Sequence, residues 1–228
     1  MGRLLVGLVV QTLVLTALVM APALLITGGV DWRRGWMVVG VLFLASAAGG
    51  LWMLRTSPEL TAERARLPSP TSAADRRATG VIALAVVGWF GFAALDALRL
   101  RLLPAPAAVT LALGAIVFLA GLGAILWTFR VNAFAATVVK VEAQRGHQVI
   151  DTGPYALVRH PMYLGSILFF AGLGLLLDAT AAALAAIPLF ALAFLPRMVL
   201  EEAVLTRELP GYADYRRRVR ARLAPGLF

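Results

Sequence analysis

The 228-residue chain has no cysteine, which excludes disulfides, thiol nucleophiles and cysteine-ligated metal sites. Charge is scarce as well. Asp, Glu, Lys and Arg make up 14% of the residues, against about 25% in an ordinary soluble domain. With 61% of its residues hydrophobic, the chain lacks the polar side chains to wet a water-facing surface. Lipid is therefore the solvent for which it is built.

What is present is a set of long uncharged runs, where about 20 residues suffice for one membrane span. Leu4–Val30, Gly35–Leu54, Ala78–Leu95 and Leu102–Phe129 each provide one. The first is much longer than the apolar stretch of a signal peptide, about 7–15 residues, so it is expected to stay as a span. Pro161 to Pro196 is broken only by Asp178 and suits two short spans turning at "LDAT". The fold class expected is an all-α integral membrane protein of about six transmembrane helices, with a C-terminal helical hairpin, a cytoplasmic polar loop and an amphipathic C-terminal helix. It reads as one membrane domain over 1–228, with a four-helix part at 1–129 and a functional core at 130–228.

Net charge is +9. On this topology Arg3, five arginines of the 55–77 loop, four basic residues from Arg130 to Arg159 and seven from Arg197 onward share one side. Only Arg33, Arg34, Arg99 and Arg101 fall on the other. The positive-inside rule then places both termini and the 130–160 loop in the cytoplasm. This bias and anionic headgroups explain the positive charge without nucleic acid.

Polar segments punctuate these runs. "SPELTAERARL" suits a short helix capped by Ser57 with Pro58 at its first position, and "LPSPTS" breaks it. Segment 130–160 has a β-branched middle and turn formers at Arg145–Gly146 and Thr152–Gly153–Pro154. Beyond Pro210–Gly211, which interrupts a helical pattern, residues 212–222 read as a basic interfacial helix. Two glycine pairs, in "AGLGAIL" and "AGLGLLL", lie inside apolar runs and read as close helix packing, not as nucleotide fingerprints.

Polar groups near lipid are costly unless paired or used. They concentrate in two places, the 140–163 loop and Arg197–Glu201–Glu202. Arg197 and Glu201 are four apart and share a helix face. A hairpin returns its ends to one side, so Arg159 and His160 should meet Arg197 and Glu201 at the membrane edge. Taken singly, His160 suits an interfacial hydrogen-bonding residue, Arg197–Glu201 a surface ion pair, Glu202 a water-facing charge, and Asn132 a loop-capping residue.

The ordered set "GPYALVRHPMYLG", "RMVLEEAVL" and "GYADYRRRV" resembles the isoprenylcysteine carboxyl methyltransferase and phospholipid methyltransferase group. The shared pattern is a G-x-Y turn, R-H-P-x-Y-x-G, a hairpin, R-x-x-x-E-E and a Y-x-x-Y tail. "PELTAER" and "RVNAF" also look like bacterial members, and the resemblance is firm over about 130–222. It implies a membrane methyltransferase using S-adenosylmethionine without a Rossmann domain. By the same resemblance the cofactor positions are His147, Gln148, Val149, Ile150, Tyr155, His160, Pro161, Met162, Tyr163 and Glu201, and Arg197 faces the acceptor substrate. Lys140 departs from the glutamine of the eukaryotic carboxyl methyltransferases.

The chemistry suits these residues. Glu201 can accept from a ribose or amino group, and Tyr155 and Tyr163 offer aromatic faces to the adenosine or sulfonium end. Methyl transfer depends mostly on positioning. Arg197 can hold a carboxylate acceptor, whereas an amine needs a base, for which Glu202 or His160 is available. The catalytic set is thus Arg197, Glu201, Glu202 and His160, and the acceptor is a lipid-borne or lipophilic molecule. Two alternatives stand beside it: an NADPH-dependent membrane reductase of related core, and a non-catalytic membrane subunit or transporter. Asp96 and Asp178 lie near the ends of spans, which weighs against transport, where ionisable groups sit in mid-membrane.

Overall fold

A computed structural model describes residues 2–56, 61, 72–104, 107–132, 134 and 148–224. Its helices are α1 (Gly2–Thr27), α2 (Arg33–Thr56), α3 (Ala73–Leu95), α4 (Ala107–Val131), α5 (Pro161–Leu176), α6 (Thr180–Glu208) and α7 (Tyr212–Arg218). A π-helical turn, Asp96–Leu100, extends α3, and a 3-10 turn, Gly153–Ala156, precedes α5. No strand occurs among the described residues. Among the described residues five helices are long and apolar enough to cross a membrane, and α5 is a shorter apolar one. Leu25, Leu84, Ile116, Leu119 and Leu192 point outward, as helices solvated by lipid require. The chain is an all-α integral membrane protein.

The hairpin turns at Leu177–Ala179 as expected, with Asp178 at φ 66°, but its arms are unequal. α5 has 16 residues and α6 has 29. The second arm does not stop at Pro196. Both Pro188 and Pro196 lie inside α6, since a membrane helix tolerates the lost N–H when neighbouring groups satisfy the freed carbonyl. The amphipathic tail is shorter than expected: α7 ends at Arg218, because the backbone carbonyls that follow are taken by the 159–160 segment. Apart from Thr61, the helix expected at "SPELTAERARL" lies outside the described residues, as do Lys140 and the turn at Arg145–Gly146.

Glycine sets the α4–α5 spacing. A Cβ on Gly165 would come 3.0 Å from the Gly121 carbonyl oxygen, and one on Gly114 would come 2.9 Å from the Leu176 nitrogen. Gly172 faces the Phe118 backbone even more closely, and Gly174 meets Ala183 of α6. Of the two glycine pairs singled out in the sequence, only Gly123 lies in open space.

α6 is fixed to α3 at both ends. Buried Asp96 accepts hydrogen bonds from the amides of Ala181 (3.0 Å) and Ala182 (3.2 Å), so a side chain from another helix satisfies the first-turn donors of α6. Trp89 Nε1 donates to the Ala182 carbonyl at 2.9 Å. From Trp89 an aromatic column runs through Phe170, Phe190 and Phe194 to Tyr163.

The two ends of the bundle differ in charge. Arg34 donates to the Leu176 carbonyl and lies 4.0 Å from Asp178, which Arg101 also approaches. Arg99 donates to the Ile26 carbonyl. The 177–179 turn therefore lies at the arginine-poor end, and the start of α5 lies at the other.

Candidate functional site

Pro161 occupies the first position of α5, where its missing N–H costs nothing and its fixed φ suits a helix start. His160 immediately precedes it, and its carbonyl accepts from the amides of Tyr163 and Leu164. A helix of 16 residues is about 24 Å long, against about 30 Å of hydrocarbon. One end of α5 therefore lies below the membrane surface, and its polar flank needs partners within the protein.

Those partners come from α6 and form two adjoining carboxylate centres. Glu201 is partly open, its side chain 22% exposed. It accepts from the Tyr163 hydroxyl at 2.6 Å and from Arg197 Nε at 3.1 Å, and His160 Nδ1 lies 3.7 Å away. Glu202 is buried, its side chain 4% exposed. It accepts from Arg159 Nε at 2.8 Å and from Arg222 Nη2 at 3.2 Å, and His160 Nε2 lies 3.1 Å from it. The expectation that Glu202 could face water fails, because two guanidiniums enclose it.

His160 bridges the two centres, one ring nitrogen toward each carboxylate. Its ring lies 5.7 Å from that of Tyr163, which stacks on Phe194 at 4.7 Å. The polar cluster thus rests directly on the end of the apolar aromatic column.

Arg197 has a partner that sequence reasoning missed. Its Nη1 lies 3.2 Å from Asp75 Oδ1 and donates to Thr79 Oγ1 at 2.9 Å. Asp75 is fully buried in the first turn of α3, where Ser72 caps the helix by accepting from the Asp75 amide. An acidic residue after an N-cap serine reads as ordinary helix capping, and no sequence pattern marks this second role.

A loop closes the cluster from the side. Asn132 donates to the Tyr155 hydroxyl at 2.7 Å and accepts from the Phe134 amide, the hydrogen-bonding role expected of it. Burial pushes the Tyr155 hydroxyl up to about 12 from its usual 10.0, against the Asn132 hydrogen bond and with the Glu201 charge. Val149 and Tyr155 pack on Leu209, Tyr212 and Tyr215. Burial likewise raises the Tyr212 and Tyr215 hydroxyls above their usual range.

The structure thus brings together His160, Tyr163, Arg197, Glu201 and Glu202, with Pro161 buried at the helix start. Val149, Ile150 and Tyr155 are half-buried and Gln148 is exposed. Met162 is half-buried and packs against Phe129 and the main apolar core. His147 lies outside the described residues.

Residues 109–210 match the family described as phospholipid methyltransferase. Two curated relatives are similar over a shorter stretch. One is the nickel-cobalt-cadmium resistance protein NccN of Alcaligenes xylosoxydans xylosoxydans, 33% identical over 36% of this chain and 38% of its own. The other is the cobalt-zinc-cadmium resistance protein CzcN of Cupriavidus metallidurans, 30% identical over the same shares. The similarity therefore spans well under half of those relatives. The family match covers α4, both arms of the hairpin and every residue of the cluster except Asp75, Thr79 and Arg222. Residues 109–210 of this membrane protein are therefore similar to the phospholipid methyltransferase family.

Proposed function

We propose that the protein transfers a methyl group from S-adenosylmethionine to a lipid or lipophilic acceptor at the cytoplasmic face of a bacterial inner membrane. The observation that carries this reading is the partly open Glu201, held by Tyr163 and Arg197 beside His160, inside a segment that matches a methyltransferase family. When bound, S-adenosylmethionine supplies a methyl group on a sulfonium cation.

The residues present fit such a cofactor. Glu201 offers a carboxylate to hydroxyl or amino donors, since ionised acceptors make the stronger hydrogen bonds. Tyr155 and Tyr163 present aromatic faces, which attract cations. Val149 and Ile150 offer half-buried apolar surface for a flat base. Gln148 and His147, just before them in the chain, are assigned to the same cofactor loop by the resemblance alone.

Arg197 is the residue for the acceptor. Asp75, Thr79 and Glu201 fix its guanidinium, and a fixed donor orients a bound anion without further ordering. A carboxylate acceptor needs no base. For an amine acceptor His160 is the available base, since Arg159 and Arg222 already occupy the Glu202 carboxylate. The short α5 sets the cluster where a lipid tail can stay in the bilayer while its polar end reaches Arg197.

Purified protein supplied with methyl-labelled S-adenosylmethionine and total bacterial membrane lipid should move label into an organic-extractable product. Arg197→Ala should keep binding S-adenosylhomocysteine while transfer falls by about 100-fold or more, the size of a lost positioning contact. Normal transfer by that variant would remove Arg197 from its role.

A further inference from the structure

The last described residues of the chain fold back onto the cluster. After α7 the backbone runs extended, and the carbonyls of Ala221 and Arg222 accept from the amides of Arg159 (2.9 Å) and His160 (3.0 Å). Arg159 Nη1 returns the contact, donating to the carbonyls of Val219 (2.9 Å) and Arg220 (2.6 Å). Arg222 then reaches both oxygens of Glu202, through Nε at 3.2 and 3.3 Å and through Nη2 at 3.2 Å. Leu223 anchors the segment in the main apolar core. Further back, the Tyr215 hydroxyl donates to the Tyr155 carbonyl at 2.8 Å, and Arg218 pairs with Asp151 at 2.8 Å.

We propose that residues 219–223 are a strap that positions His160, and that Arg222 is a positioning residue for methyl-donor binding. The proposal rests on the functional reading above and lies outside the segment that matches the family. The strap fixes His160 in two ways. Its backbone bond holds the residue at the turn into α5, and Arg222 holds Glu202, against which the His160 ring is set. A buried carboxylate between two arginines has little freedom to follow a rotating ring. Without Arg222, Glu202 keeps Arg159 and turns toward it, and His160 loses its fixed edge. Glu201 and Tyr163 remain in place, so the donor site loosens without vanishing.

The test uses the full chain in detergent, with Arg222→Ala, Arg222→Lys and the exposed-site control Arg216→Ala. Calorimetric titration with S-adenosylhomocysteine should show affinity about tenfold weaker in Arg222→Ala, the size expected for loss of a charge-assisted contact. Lysine restores the charge but not the two-pronged reach, so Arg222→Lys should fall between the alanine variant and wild type. Arg216→Ala should bind as wild type does. Hydrogen exchange, which needs no cofactor, should show slow Arg159 and His160 amides in wild type and faster ones in Arg222→Ala.

Wild-type affinity in both Arg222 variants would overturn the proposal. If Arg222→Ala does not fold, Arg222→Lys decides alone: weakened binding supports the strap, and unchanged binding refutes it. Absence of binding by wild type would instead defeat the methyl-donor reading. The exchange arm would then decide the strap itself: fast Arg159 and His160 amides in wild type would refute it.

Discussion

At the scale of single residues, pairing is what allows charge to sit at this membrane edge. Arg197 shares its guanidinium between Asp75 and Glu201, on two different helices. Removing Asp75 takes away the buried half of this pairing and leaves the guanidinium to Glu201 and Thr79. Asp75→Ala should therefore lower stability by about 2 kcal/mol, read as a fall in thermal unfolding temperature in detergent; an unchanged melt would show that Asp75 contributes nothing. Tyr155 gives a prediction in pH. Its folded hydroxyl titrates at about 12 and an unfolded one at 10.0, so the unfolded chain loses its proton first as pH rises. Stability from this group is full below pH 10 and is lost as pH climbs toward 12. Denaturation profiles of wild type and Tyr155→Phe should therefore differ in slope only in that alkaline window. Parallel profiles through it would contradict the assignment.

At the scale of elements, the closeness of α4 and α5 decides where the motif begins. Gly121 and Gly172 leave no room for a side chain against the opposing backbone. Gly172→Leu should separate the two helices and cost about 1–3 kcal/mol, as overpacking does. Thermal melting should show this loss, while Gly123→Leu, in open space, should melt close to wild type. This packing was legible because small residues recurred inside apolar runs. The hairpin was legible too, since Asp178 marked the turn and the i, i+4 spacing of Arg197 and Glu201 fixed their shared face. The arm lengths were not, because the uncharged run ends at Pro196 while the helix continues through it to Glu208, a proline that a membrane helix tolerates. Nor was the strap: residues 219–223 have a basic pattern that reads as helix, and their role depends on backbone carbonyls, which a side-chain pattern does not encode.

At the scale of the whole molecule, the two ends of the bundle have different chemistry. Arg34, Arg99 and Arg101 tie down the α5–α6 turn at one end. At the other, three elements distant in sequence converge: the start of α3 with Asp75, the hairpin ends with His160 and Glu201, and the chain's last turn with Arg222. The second of these was foreseen, and the first and third were not, since nothing in a single sequence links Asp75 to Arg197 or Arg222 to Glu202. On the proposed function, this convergence forms a methyl-donor site built around Glu201. Calorimetric titration of wild type and Glu201→Ala with S-adenosylhomocysteine and with NADPH tests it most directly. Wild type should bind S-adenosylhomocysteine saturably, Glu201→Ala should lose that binding, and neither should bind NADPH. Saturable binding of NADPH by wild type without S-adenosylhomocysteine binding would contradict it.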